Sequence, residues 1–337
     1  MSFATIADFE AALRDLSVPD APALAAARAR QGHLTKPAGS LGRLEDIAVF
    51  LAGWQGREIP VLARCRAVVF AGNHGVTTQG VSAFPAEVTA QMVANFAAGG
   101  AAINALSAAA GLDLHVVPLD LDRPTADFTA DAAMTGAECL AALNAGAAMV
   151  EPGLDLFVPG EMGIGNTTAA AALCARALGG DVADWVGPGT GLDRAGIERK
   201  IAVIEAALAF HAGAPATPFE TLRRLGGREI AAMAGAVVRA RQLRVPVVLD
   251  GFICCAAIAP IAAVHPGILD HCLAGHCSAE PGHVRLLDRF GLVPLLNLGM
   301  RLGEASGAVV AVQIVRCAVA THAQMATFAQ AGVAGGA

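Results

Sequence analysis

From about residue 66 onward, short apolar runs alternate with long Ala-rich stretches, and this alternation is the strongest structural signal in the chain. Ala67–Ala71, Leu114–Leu119, Leu154–Val158, Asp184–Val186 and Val245–Leu249 are short and largely apolar, which predicts strands. The intervening Ala86–Ala110, Ala130–Met149, Thr167–Leu178, Asp193–Ala212 and Arg228–Arg241 have the length and composition of helices. Apolar strands separated by helices imply βαβ units, and hence an α/β protein whose parallel sheet is covered on both faces. The first 60 residues follow another pattern, with helices predicted over Thr5–Leu16, Pro22–Gln31 and Leu41–Trp54. A turn-rich connector, Lys36–Arg43, separates the last two. Helix returns after Glu304 and runs to about Ala331. The two ends are expected to pack as a small helical lobe, 1–60 with 305–337, beside an α/β catalytic domain over 61–304.

Composition narrows the class. Hydrophobic residues make up 55% and charged residues 15%, which argues against a disordered chain. The mean hydropathy of +0.55 raises the question of a membrane. The apolar run Gly251–Val264 contains Pro260 and stops at His265, short of the roughly 20 residues that a spanning helix needs. Phe96–Leu112 is broken by glycines and carries Asn104 and Ser107, so no membrane span is expected. The N-terminus shows an acidic amphipathic pattern without a basic region and apolar core, so no secretory signal is expected and a cytoplasmic setting follows. The eight cysteines then read as free thiols. A net charge of −6 disfavours nucleic acid as a partner. Of the 23 basic residues only Lys36 and Lys200 are lysines, which singles out both positions.

Ligands of parallel α/β proteins bind at the carboxyl ends of the strands, so the loops after the predicted strands are where chemistry is expected. Gly72-Asn73-His74-Gly75-Val76 leads on to Gly80-Val81-Ser82-Ala83-Phe84-Pro85; taken alone, it reads better as an ordinary strand-to-helix loop than as a site. Gly160–Thr168 sets Glu161 between glycines ahead of a helix, where backbone N–H groups and the helix N-terminus suit an anion. Asn166 or Thr167 acting as a helix cap accounts for part of it. Gly187-Pro188-Gly189-Thr190-Gly191 is followed one helix on by Lys200, a compact charge suited to a phosphate monoester. Asp250 stands alone after Leu249, without the paired acids that would hold Mg²⁺ against a sugar diphosphate. His265, His271, Cys272, His276, Cys277 and His283 form no standard zinc spacing, so no metal is expected there, and loop histidines with Ser278 serving an anion is the better reading. Glu304, in Leu302–Ala308, opens the terminal helix either as an acid complementing the helix dipole or as a general base.

Taken together, Lys36–Arg43, Gly72–Gly75, Val88–Gln91, Gly160–Thr168, Leu249–Phe252, Ser278–Glu280 and Met300–Gly307 come in one recognisable order. The chain resembles the nicotinate-nucleotide:dimethylbenzimidazole phosphoribosyltransferases over nearly its whole length. Gly-Glu-Met-Gly-Ile-Gly-Asn-Thr-Thr and Met-Arg-Leu-Gly-Glu-Ala-Ser-Gly-Ala are the specific segments. The resemblance implies a Rossmann-like parallel sheet with helices on both faces, a small helical lobe from both termini, and a homodimer. It implies transfer of 5-phosphoribose from nicotinate mononucleotide to 5,6-dimethylbenzimidazole, giving α-ribazole 5′-phosphate and nicotinate. By the same resemblance, Glu304 stands where the family has its catalytic base and Glu161 where it has a second active-site carboxylate. Lys200, Ser278 and the Gly163–Thr167 backbone, including Gly165 and Asn166, match positions that hold phosphate and ribose.

The chemistry suits these residue types. Nicotinate leaves from a pyridinium nitrogen and needs no proton, whereas the incoming benzimidazole must lose one. A single carboxylate base suffices, and the rest is positioning, with no cofactor, metal or covalent intermediate. In the base pocket, Phe84 and Met92 align where some relatives carry Ser and Gln, Met162 replaces a common Leu, and Asn73 a frequent Asp. Two other readings remain open: a nicotinate-nucleotide nucleosidase or phosphorylase without a benzimidazole acceptor, and a non-catalytic metal or nucleotide sensor using His265–His283.

Overall fold

The computed structural model describes residues 3–189 and 191–334. Five strands, β1 Cys65–Ala71, β2 Asp113–Pro118, β3 Leu156–Met162, β4 Val247–Leu249 and β5 Cys272–Ala274, form one sheet in the order β2-β1-β3-β4-β5. Every neighbouring pair is parallel, with Val69 opposite both Val116 and Gly160 and Val248 opposite Leu273. This is a doubly wound order whose direction of winding reverses between β1 and β3.

The helices are α1 Ile6–Ala12, α2 Ala21–His33, α3 Arg43–Gln55, α4 Glu87–Ala97, α5 Ala102–Ala110, α6 Gly136–Ala148 and α7 Asn166–Leu178. They continue with α8 Arg194–Phe210, α9 Pro218–Leu225, α10 Arg228–Gln242, α11 Phe252–Ala262, α12 Pro281–Phe290, α13 Ser306–Gln324 and α14 Phe328–Ala331. All seven residues of β1 are buried because its alternating side chains enter two cores. Val68 and Phe70 pack with the buried faces of α6, α7, α10 and α11. Ala67 and Val69 pack with α3, α5 and α13. The expected α/β architecture is thus observed.

Several boundaries differ from the sequence reading. Asp184–Val186 is not a strand: Val182–Asp184 form a 3₁₀ turn, and the following Trp185 is buried with its indole N–H on the Gly179 carbonyl at 2.9 Å. The fifth strand is Cys272–Ala274, only three residues long and hidden within the His/Cys-rich stretch. β3 runs on past Val158 through Pro159 and Gly160 to Met162. The Ala86–Ala110 segment is split into α4 and α5 around Gly99 and Gly100. The apolar stretch after Gly251 is the buried helix α11, and α9 and α12 went unread.

At the chain ends, α2, α3 and α13 meet: the Arg30 guanidinium donates to the carbonyls of His322 and Ala323 at 2.8 and 3.0 Å. α1 packs instead on α9, with Phe9 and Phe219 rings 6.3 Å apart. Two segments, Glu87–Ala110 and Ser306–Gln324, are long and apolar enough to cross a bilayer. The first is interrupted between α4 and α5, and the second lays Val309, Val312 and Val315 against the sheet. The eight cysteines are free; Cys317 is exposed, Cys277 half-buried and the others buried.

Candidate active site

The carboxyl ends of β1 and β3 flank the winding reversal, where a doubly wound sheet opens a crevice. Glu161 is the next-to-last residue of β3, in register with Phe70, and is 7% exposed. The Asn166 amide donates to its carboxyl. Burial pushes that carboxyl up to about 8 against the Asn166 bond, and the nearby carboxylates of Glu229, Asp250 and Glu304 add to the rise. Burial and the neighbouring carboxylates together favour the neutral form of Glu161.

One cavity is lined by Glu161, Met162, Gly163, Asn166, Thr167, Asp250, Phe252, His276, Ser278, Glu280 and Arg301 among others. α7 starts on this cavity from Gly165, which offers no side-chain cap; the Asn166 and Thr168 N–H groups donate to the Gly163 and Gly165 carbonyls at 3.2 and 3.0 Å, and the positive end of the helix faces the cavity. Lys200 reaches the same place from α8. It is 1% exposed, and its Nζ donates to Thr167 Oγ1 at 3.0 Å and to the Gly187 carbonyl at 3.2 Å. Burial pulls this amine down to about 8, opposed by the Glu280 carboxylate. Arg301 closes the rim, donating to the Gly189 carbonyl at 3.1 Å. Ser278 follows β5; its N–H donates to His283 Nδ1 at 2.9 Å, while its buried Oγ has no protein partner.

Glu304 stands just ahead of α13, with its N–H on the Glu161 carbonyl at 3.3 Å. Glu304 and Ala305 both have left-handed backbones, with φ of 61° and 66°. The corner they form lies directly on β3: a Cβ at Gly160 would stand 2.6 Å from the Ala305 Cβ and 2.8 Å from the Glu304 carbonyl carbon. Only glycine leaves room there. Burial raises the Glu304 carboxyl, the Ile103 N–H at the start of α5 lowers it, and Asp250 raises it again. Its Oε2 is buried without a partner.

Met92 and Met162 are partly buried and pack against the core that contains Phe96, Ile103 and Ala305. Phe84 is 48% exposed and stands outside that cluster. The structure therefore brings together Glu161, Gly163, Gly165, Asn166, Thr167, Lys200, Ser278 and Glu304; Met162 lines the same cavity, Met92 packs on the core, and Phe84 stays at the surface. Thr190 lies outside the described residues. Among the described residues, no group of three or more His, Cys, Asp and Glu is arranged to hold a metal ion. The His265–His283 stretch is divided. His271 is buried against the Val237 carbonyl at 3.1 Å, while His276 and His283 stand 6.1 Å apart near the cavity. A broader groove between α2 and α3, lined by Leu24, Gln31, Glu45, Phe50 and Trp54, holds none of the residues singled out for chemistry.

Comparison with known proteins completes the picture. The family profile described as "Phosphoribosyltransferase" matches residues 16–333. A protein of Novosphingobium aromaticivorans named nicotinate-nucleotide–dimethylbenzimidazole phosphoribosyltransferase is 73% identical over 334 residues, 99% of each chain. The chain belongs to this family. A protein of the same name from Cereibacter sphaeroides is 57% identical, again covering 99% of both chains. The crystal structure of CobT from Thermus thermophilus superposes with a TM-score of 0.87 at 42% identity, over 94% of this chain and all of that one. The chain is thus a pentosyltransferase with the fold of its family.

Asp250, Glu280 and Arg301 lie in stretches that the sequence singles out without giving these residues a role; each lines the cavity, as does His276, one of the loop histidines read as serving an anion. Their signal was placement, at strand ends or beside glycines. A buried pair between His74 and Glu229, 2.5 Å apart and fully enclosed under the Gly72 loop, was missed altogether. Its partners are 155 residues apart, and no local pattern links them.

Proposed function

We propose that this enzyme transfers the 5-phosphoribosyl group of nicotinate mononucleotide to 5,6-dimethylbenzimidazole, giving α-ribazole 5′-phosphate and nicotinate. The observation that carries the reading is the meeting of two unlike walls. On one, the α7 N-terminus, Lys200 and Ser278 offer donors to a phosphate and a ribose. On the other, Glu304, with Oε2 buried and unpartnered, offers a carboxylate to the acidic N–H of a flat ring, and the partly buried thioethers of Met92 and Met162 supply apolar surface. In this reading Glu304 takes the proton from the benzimidazole as its other nitrogen attacks the anomeric carbon. The C–N bond to nicotinate breaks on the opposite face, the pyridinium nitrogen keeps the electron pair, and the configuration inverts from β to α. Glu161, neutral, donates a hydrogen bond within the site. Phe84 forms the outer rim of the base pocket.

The same reading includes a cytoplasmic homodimer with a helical lobe from both chain ends. The deciding experiment is product analysis with nicotinate mononucleotide and a panel of benzimidazoles, purines and phenols. An α-riboside phosphate formed in step with nicotinate is the expected result. Nicotinate released equally fast without any base would replace the transferase by a nucleosidase. Sedimentation equilibrium tests the dimer, and a monomer at micromolar concentration would remove it.

A further inference from the structure

The first turn of α13 lacks a cap of its own. Its N-cap residue is Ala305, whose methyl group can accept nothing, and the residues on either side of the Glu304–Ala305 bond are both left-handed. Something outside the helix must hold this corner. Asp250, at the end of β4 and 2% exposed, accepts the Ala308 N–H through Oδ1 at 2.8 Å. That N–H belongs to the third residue of the helix, the donor an N-cap side chain would ordinarily satisfy. His276, after β5, places Nε2 3.5 Å from the same Asp250 oxygen, with both side chains 3% exposed. Its ring fills the space beside the helix: a Cβ on Gly307 would stand 2.2 Å from His276 Cδ2.

We propose that Asp250 and His276 are a positioning pair that caps α13 from across the sheet and so fixes the carboxylate of Glu304. This rests on the reading of Glu304 as the base. Asp250 lines the cavity, and in this scheme it acts on the base through the helix. The pair also sets the electrostatics of the base. Glu304 faces Asp250 from β4, Glu161 from β3 and the Ile103 N–H from α5, and His276 reaches it only through Asp250. After burial, Asp250 is the neighbour that raises the Glu304 carboxyl. Removing its charge should therefore let Glu304 ionise at lower pH.

The test compares Asp250→Asn and Asp250→Ala in the whole enzyme, by steady-state kinetics against pH and by hydrogen exchange of the amides of residues 305–310. Asparagine keeps an acceptor at Oδ1 and removes the charge. It should retain protection of α13, leave both KM values within about 3-fold, and move the acid limb of kcat to lower pH. Alanine removes the cap; faster exchange in 305–310 should accompany a kcat loss of about 10²-fold at little-changed KM, the scale of a small misplacement of a reacting group. Unchanged exchange and kcat in Asp250→Ala would overturn the proposal. So would an Asn variant whose acid limb stays in place. Should Asp250→Ala fail to fold, the limb in Asp250→Asn still decides. Absence of any riboside phosphate from the wild type would sink the reaction assignment, while hydrogen exchange would still decide the cap.

Discussion

Lys36 and Lys200 show how far a residue type can carry an inference. In a chain that otherwise uses arginine, both lysines are buried. Lys36 pairs with Glu45 at 2.8 Å and pins the connector before α3, whereas Lys200 reaches the cavity. The sequence marked both positions but could not tell the structural one from the functional one, because the difference lies in what each side chain meets. Lys200→Ala should raise KM for nicotinate mononucleotide more than 10-fold and KM for the base by less than about 3-fold, since the lost term is a charge-assisted contact to phosphate. Equal losses for both substrates would point to folding. Because the free amine is pulled down to about 8, it is charged below that pH and neutral above it. Hence kcat/KM for the nucleotide should fall as pH rises through about 8, and Lys200→Arg, which stays charged, should move that limb upward. Glu304→Gln should lower kcat by about 10²–10⁴-fold with smaller changes in KM. Turnover within a few-fold of wild type would exclude it as the base.

Elements were legible where the pattern was long and illegible where it was short. β1, α7 and α10 follow directly from apolar runs and Ala-rich stretches. β5 has three residues, too few for any periodicity, and its place was taken in the reading by Asp184–Val186, whose apolar Trp185 is buried without being in a strand. The sequence reading ends this strand at Val158 and leaves Glu161 in the loop after it. β3 continues through Pro159 and Gly160, so the carboxyl is held by a strand. α6 and α10 illustrate a contact no periodicity discloses. A Cβ on Gly146 would stand 1.7 Å from the Ala232 carbonyl oxygen, and one on Gly235 2.0 Å from that of Leu143. The two helices meet backbone to backbone. Gly235→Ala should cost about 1–3 kcal/mol or more through overpacking, read as a lower denaturant midpoint. A midpoint equal to wild type would mean the helices part freely. Ahead of α4 and on it, Phe84→Ser with Met92→Gln supplies polar partners to a ring edge. The double variant should narrow the preference for dimethylbenzimidazole over adenine in direct competition, because adenine otherwise loses water without replacement. A ratio that stays put would dissociate these residues from the base pocket.

For the molecule as a whole, the strand order fixes where chemistry can occur. Winding that reverses between β1 and β3 brings the loops after β3, β4 and β5 to one rim, so residues from 161 to 303 converge although they are far apart in sequence. That convergence was legible as an ordered set of motifs, and the fold class with it. Its interior couplings were not. The cap from Asp250 to Ala308 and the pair of His74 with Glu229 span 58 and 155 residues and exist only once the sheet is assembled. The helix bearing the Glu304 corner also touches the chain's other end through Arg30. One element thus links the reacting group to the periphery.

That link makes α13 a candidate reporter rod. Cys317 is its exposed thiol, eleven residues beyond Ser306 and so roughly 17 Å along the axis. A maleimide dye should attach there ahead of the enclosed sulfurs and leave the reaction chamber untouched. Its fluorescence would then register tilting or stiffening of the rod as each substrate arrives, giving binding order optically before any bond is made.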